Sequence, residues 1–244
     1  MSETLRSALD QPSTKRRYVR RLFATIADRY DFITRFLSFG RDRHWKIRLV
    51  ELANVRAGDR VFDLACGTGD IAFAAAKRGA TFVGLDITLR MIELARQKPE
   101  GATGAWMVGD MLALPVTSGS FDVVTTGYGL RNVVDLPRAL SEIHRVLKPG
   151  GRLCSLDFDK PERRASRAIY LAYLTIVGSS LGWVLHRDPD TYRYIPESIR
   201  RYPGARGVVA MMEQAGFLDV RHIPIFGGFM AIHVAVKRRE EIGC

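Results

Sequence analysis

Three acids stand at the ends of three successive apolar runs, each placed to meet a small ligand. VFDLACGTGD, Val61 to Asp70, delivers Asp63 into a loop where Gly67 and Gly69 remove side chains, so that backbone can close on a bound molecule. The next run ends in GLD at Asp86, a position from which a carboxylate can accept both hydroxyls of a ribose. The third, AWMVGDMLALP, brings Asp110 and Met111 to a strand end, where they can flank an adenine. Together they describe a nucleoside site.

Gly67, Gly69 and Ala72 also fit the dinucleotide pattern GxGxxG/A. That loop has to leave its amides and helix N-terminus free for a pyrophosphate, and an aspartate on the preceding strand adds negative charge beside the anion. Asp63 therefore argues for a cationic ligand. S-adenosylmethionine carries an ammonium and a sulfonium and no phosphate, and a charge-assisted bond to such a group contributes about 1.5–3 kcal/mol.

The elements that must position these residues read as an α/β fold. Strands are predicted near 60–64, 81–85, 105–108, 121–126 and 151–157, with helices near 70–78, 88–97 and 136–147. This alternation predicts a parallel sheet with right-handed crossovers. Two last strands, near 218–223 and 230–237, are joined by Phe226 to Gly228, a link too short for a helical crossover, so they pair antiparallel. Three strand-end acids in order, then a helix, LKPGG and another strand, resemble a class I methyltransferase, whose Rossmann-like sheet has seven strands.

Apolar residues at helical spacing between Lys15 and Ala53, interrupted at Ser38 to Gly40, predict two helices over the cofactor cleft. Residues 1–53 are thus expected to form a helical extension on a methyltransferase domain spanning 54–244, with 161–203 inserted as a lid. Within that lid AIYLAYLTIVGSSLGWVL, Ala168 to Leu185, carries no charge over the length of a membrane span. Gly178, Ser179, Ser180 and Gly182 are expected to interrupt it, making two short apolar helices rather than a span.

With 244 residues and 47% hydrophobic content, the chain can bury a substantial core in one domain. Cys66, Cys154 and Cys244 are too few and too scattered for a disulfide framework or a zinc site, so no metal is expected and a reducing cytoplasm fits. MSETLRSALDQ lacks the apolar core of a signal peptide. The net charge of +11 concentrates between Lys15 and Arg48, around Arg163, Arg164 and Arg167, at Arg200 and Arg201, and in the tail. No aromatic stripe or finger spacing supports nucleic-acid contact. Attraction to an anionic membrane fits better, at about 1 kcal/mol per basic residue near the surface.

Three segments resemble the UbiE-type ubiquinone/menaquinone biosynthesis C-methyltransferases: YDFITRFLSFGRDRHWK from Tyr30, GLRNVVDLPRALSEIHRVLKPGGRL from Gly129, and DPDTYRYIPESIRRYP from Asp188, followed by MMEQAGF and GGFMAIH. The family's usual Met-Asn after Tyr-Asp is Ile33-Thr34 here, its usual His after the glycine is Asp42, and Asp157 and Asp159 replace its usual Glu and Ser. The resemblance implies cofactor contacts at Thr68, Asp86, Asp110, Met111 and Gly127, a loop shaped by Asp63, Gly67 and Gly69, and Tyr30 closing over the cofactor.

It also implies an acceptor, a prenylated quinol methylated on a ring carbon beside a hydroxyl. Arg131 and Asn132, at the carboxyl edge of the fourth strand, are the predicted catalytic residues. A guanidinium stays protonated, so Arg131 is assigned to stabilising the phenolate or ordering a water, and Asn132 to orienting the quinol oxygen. Asp157 and His233 are candidate acceptors for that water's proton. Another small apolar acceptor and a non-catalytic cofactor- and lipid-binding subunit are the alternatives. A homodimer is among the assemblies left open.

Overall fold

The structure, a computed structural model, describes residues 9–161 and 163–239. Cys244 and residues 1–8 of the opening stretch lie outside the described residues. Seven strands form one sheet: β1 (Arg60–Leu64), β2 (Thr81–Asp86), β3 (Ala105–Val108), β4 (Phe121–Gly127), β5 (Leu147–Phe158), β6 (Phe217–Ile225) and β7 (Met230–Lys237). Their order is β3-β2-β1-β4-β5-β7-β6. The first five run parallel, while β7 lies antiparallel to both β5 and β6, as the short Phe226–Gly228 link requires. The order reverses between β1 and β4, opening a crevice at their carboxyl ends.

Both faces of the sheet are covered. Along β1 and β4, Val61 and Val123 join one apolar cluster while Phe62, Leu64 and Val124 join the other, the two-residue period of a strand buried on both sides. Three of the covering helices are α4 (Asp70–Ala76), α5 (Leu89–Gln97) and α6 (Leu136–Val146). Helix α6 turns Ala139, Leu140, Ile143 and Val146 inward, and Asp135 caps its start by accepting from the Arg138 N–H. Each fully buried leucine or isoleucine contributes roughly 1.5–3 kcal/mol.

Strand β5 begins at Leu147, not near residue 151. Phe121 pairs with Leu147, and the register slips before Val123 pairs with Arg152, so the four residues from Lys148 to Gly151 stand opposite Asp122 alone.

Among the described residues, the stretch from Lys15 to Ala53 takes part in three α-helices, not two: α1 (Pro12–Ile26), α2 (Tyr30–Leu37) and α3 (Asp42–Leu52). The first break was hidden in a continuous apolar pattern; Arg29 leaves helical geometry at φ −115° and ψ 5°, and Tyr30 starts a new axis. Helix α3 lies at the side of the cleft: Leu49 and Val50 pack into the sheet-facing core with Ile71 and Phe73, and Trp45, in the same cluster, also lines the apolar part of the cleft.

Residues Arg164–His186 form one continuous helix, α7, which corrects the expected kink. Arg187, at φ 55°, ends it and turns the chain into α8 (Asp190–Arg201). The two glycines are sites of close approach: a Cβ on Gly178 would stand 3.2 Å from Tyr192 Cβ, and one on Gly182 would stand 2.5 Å from the Asp188 carbonyl oxygen. By length and apolar composition alone α7 could cross a membrane. One face of it, Tyr170, Leu174, Gly178 and Gly182, is buried within the fold. Helix α9 (Ala205–Gln214) then leads into β6.

Candidate active site

The crevice holds two adjoining cavities. The first, with about 720 Å³ of empty space, is walled by the strand-end loops, among them Gly67, Asp86, Asp110, Met111 and Gly127. The second, with about 760 Å³, is mainly apolar and lies among α1, α2, α7 and α8, with Arg131 in its wall. Phe23, Tyr30 and Tyr128 belong to both walls.

In the first cavity Asp86 Oδ2 accepts from the Gly67 N–H at 2.9 Å and Oδ1 from the Thr88 N–H at 2.8 Å. Burial raises its carboxyl while these bonds favour the anion. Asp86 is thereby fixed beside Ile87, Met91 and Met111, an acid next to an apolar slot, which suits a ribose and its base. Asp110 receives the Leu112 N–H at 3.0 Å and pairs with Arg16 from α1 at 2.8 Å. Gly67, at φ +53°, comes so near Tyr30 that a Cβ would stand 3.6 Å from its ring. This donor set fits a nucleoside such as S-adenosylmethionine.

Asp63 is placed differently from expectation. Its side chain is fully buried and lines neither cavity; Oδ2 accepts from the Ala72 N–H at 3.2 Å and Oδ1 from the Thr125 hydroxyl at 2.8 Å. Burial pushes its pKa up to about 7 against those two bonds. It ties the start of α4 to β4 from outside both cavities. Gly69 and Thr68 also stand outside both cavities. Gly69, at φ +90°, opens α4 where a Cβ would meet Trp106 at 2.7 Å, and Thr68 donates to Asp31 Oδ1 at 2.5 Å in an outer groove.

Arg131 and Asn132 form a short turn after β4 that α1 holds from outside: the Lys15 ammonium donates to Val133 O at 2.5 Å and to Arg131 O at 3.4 Å. Burial, then Arg131 and Arg201, lower Lys15 to about 8. The Arg131 guanidinium donates through Nη1 to Asn132 Oδ1 at 2.9 Å and to Ser198 Oγ at 3.0 Å, and lies 4.9 Å over the Phe158 ring. Asn132 Oδ1 also accepts from the Tyr194 hydroxyl at 2.8 Å, and its Nδ2 donates to Tyr128 O at 2.6 Å. Tyr194 and Ser198 sit one turn apart on α8, a spacing visible in YRYIPES.

Neither candidate proton acceptor faces a cavity. Asp157 is enclosed against Arg131, and burial raises its carboxyl against the pull of that guanidinium. His233 lies on β7 in the core, its Nε2 3.1 Å from Ala205 O and its Nδ1 3.3 Å from Ser155 Oγ.

Sequence reasoning missed Tyr128, Asp42 and Lys46. The Tyr128 hydroxyl donates to Asp42 Oδ1 at 2.6 Å, and Asp42 Oδ2 pairs with Lys46 at 2.6 Å. The acid and base four apart in DRHWK were a readable helical pair; Tyr128 gave no signal beyond its place in GYG.

The profile of the ubiE/COQ5 methyltransferase family matches residues 11–237. The chain is 43% identical over 217 residues to the demethylmenaquinone methyltransferase of Thermus thermophilus, covering 87% of this chain and 98% of that protein. It is 39% identical over 225 residues to the ubiquinone/menaquinone biosynthesis C-methyltransferase UbiE of Dinoroseobacter shibae, covering 90% of each. In fold it is similar to the Haemonchus contortus phosphoethanolamine N-methyltransferase 2 solved with phosphomonomethylethanolamine and S-adenosylhomocysteine. That match has a TM-score of 0.67 and 16% identity, over 91% of this chain and 60% of that one. An acid at the end of β2, a backbone cradle at Gly67 and a family match over nearly the whole chain lead to one conclusion: the chain belongs to the ubiE/COQ5 methyltransferase family and is an S-adenosylmethionine-dependent C-methyltransferase.

Proposed function

We propose that this enzyme methylates a ring carbon of a polyprenylated quinol, demethylmenaquinol or its benzoquinol counterpart. The observation that carries this is the wall of Phe23, Tyr30 and Tyr128 common to the cavity at the strand-end loops and the one among α1, α2, α7 and α8. A ring seated at that wall meets the methyl donor, and its tail runs into the chamber lined by Leu22, Ile26, Ile33 and Leu174. Asp86 would hold the ribose, Met111 and Asp110 would flank the base, and Gly67 and Gly127 would let backbone approach. Asp63, Thr68 and Gly69 shape the loop. Helices α1 and α2, from the extension of 1–53, and α7 and α8, from the insertion of 161–203, act as the covers of the methyltransferase core.

The bound cofactor supplies an electrophilic methyl group. A neutral phenol is a poor carbon nucleophile with a pKa near about 10, so the site has to favour loss of its proton. Arg131 places a permanent positive charge in the apolar wall, where a developing phenolate is stabilised more than it would be in water. Asn132, locked by Arg131 and Tyr194, orients the quinol oxygen. Holding ring carbon and methyl about 3–3.5 Å apart contributes much of the remaining rate.

The same reading assigns α7 to an anionic bilayer. Ile169, Ile176 and Trp183 recur at two-turn spacing on its outer face and are 71%, 68% and 67% exposed. Phe39, also exposed, stacks on Tyr173 of that helix at 5.9 Å, and Arg163, Arg164 and Arg187 lie exposed around its ends. Behind the stripe, Tyr170 and Leu174 of the same helix line the apolar cavity. A tail can thus pass from lipid to site along one helix.

The test incubates the protein with methyl-labelled cofactor and a panel of prenylated quinols, a tail-less quinol and RNA. Label in the prenylated quinols supports the assignment; equal labelling of the tail-less quinol, or label in RNA alone, overturns it.

A further inference from the structure

We propose that Tyr128 and Asp42 form the relay that carries the acceptor's hydroxyl proton out of the reaction chamber to solvent. This rests on the quinol reading above. Tyr128 lies in the wall of both cavities, held there by a backbone in the left-handed region at φ +60°. Its hydroxyl donates to Asp42 Oδ1 at 2.6 Å. Asp42 in turn borders an open polar groove together with Lys46, Asp70 and Lys98. Lys46 bridges Asp42 and Asp70 at 2.6 and 2.9 Å, and Lys98 joins Asp70 to Asp31 at 3.1 and 2.9 Å. One side chain therefore links the chamber to a charged network that water reaches.

A tyrosine hydroxyl that donates one hydrogen bond keeps lone pairs to accept another. The acceptor's hydroxyl passes its proton to Tyr128 Oη while the Tyr128 proton passes to Asp42 Oδ1, leaving a ring with phenolate character. As its ring carbon bonds to the methyl group, the carbon–sulfur bond breaks with its electron pair left on sulfur, and a neutral dienone forms. The dienone then tautomerises, its ring proton reaching the oxygen through water. The one net proton leaves Asp42 for the groove.

The surrounding charges keep each member in the required form. Burial, then Asp42, raise the Tyr128 phenol well above its usual value, with Tyr30 on α2 and Asp157 on β5 adding to the effect, so Tyr128 stays neutral until it receives a proton. Burial opposes the Lys46 charge, yet Asp42 beside it and Asp70 from α4 hold the ammonium above its ordinary range. Asp157 and His233, also buried and titratable, line neither cavity.

The test compares Asp42→Asn and Tyr128→Phe, both near-isosteric, with the full chain. Each is expected to lower kcat about 10²-fold, with KM and the calorimetric affinity for S-adenosylmethionine within about three-fold of the starting values, and the double variant no slower than either single. Asp42→His restores an acceptor and is expected to recover turnover with the acid limb of the kcat profile moved toward about pH 6.5. Without any quinol, the tyrosinate absorbance assigned by difference to Tyr128 shifts to lower pH in Asp42→Asn. Retention of kcat by either single variant, multiplied losses in the double, or an unmoved tyrosinate titration overturns the relay. Failure of the unaltered enzyme to label any quinol overturns the substrate reading instead, and the tyrosinate titration is independent of it.

Discussion

Arg131 Nε stands 3.1 Å from Asp157 Oδ1, and both side chains are closed off from solvent. The same carboxylate accepts the Arg131 backbone N–H at 3.1 Å, so one residue holds both the main chain and the side chain of the other. Removing one partner of a buried pair leaves an uncompensated charge, a loss of about 3–5 kcal/mol. Asp157→Ala is expected to lower unfolding free energy by that amount in urea denaturation. Arg131→Ala is expected to abolish quinol turnover while cofactor affinity, measured by calorimetry, changes only a few-fold, since Arg131 does not line the first cavity. Unchanged turnover would remove Arg131 from the chemistry.

His233 makes stability depend on pH. Burial lowers its pKa from 6.5 to about 4 against the bond to Ala205. A carbonyl can only accept, so Nε2 carries the proton and Nδ1 accepts from Ser155. Between the folded and unfolded values the folded chain binds fewer protons, so this contribution is complete above about pH 6.5 and is lost as pH falls toward about 4. From pH 7 to pH 5 the loss amounts to about 2 kcal/mol. Denaturation at both pH values should show the unaltered protein losing roughly that much more than His233→Gln; equal slopes would contradict it.

Gly182 separates a continuous α7 from a kinked one by the sign of one substitution. In the packed hairpin a Cβ meets the Asp188 carbonyl at 2.5 Å and Pro189 Cα at 3.2 Å, both backbone atoms. Gly182→Ala is then destabilising by about 1–3 kcal/mol, read from the thermal midpoint. An uncrowded helical glycine would instead gain about 1 kcal/mol on becoming alanine.

The outer face of α7 is tested by Ile176→Glu combined with Trp183→Glu. Both side chains are exposed, so stability should stay within about 0.5 kcal/mol. Cosedimentation with liposomes containing anionic lipid at low salt should fall sharply in the variant and should weaken as salt rises in the unaltered protein. Binding indifferent to both would count against the membrane reading.

Much of the fold was legible because its signals are local. Alternating apolar runs, the short link at Phe226 to Gly228 and the helical spacing after Asp135 carry their own geometry within a few residues. Where local signals conflicted, the partners prevailed. Gly178 and Gly182 read as breakers, yet they serve helix packing against Tyr192 and Asp188; Arg29 broke a helix whose apolar pattern continued.

By itself the sequence determined the sheet, the glycine loop and the acid at Asp86, because each follows from the order of residues along a strand and its turn. Tertiary structure alone decided that Asp63 is spent on Ala72 and Thr125, and that Asp157 serves Arg131. It also decided that Phe23, Tyr30 and Tyr128 stand between two chambers. The physical reason is that a carboxylate's role depends on which donors surround it once water is gone, and those donors come from elements far apart in the chain.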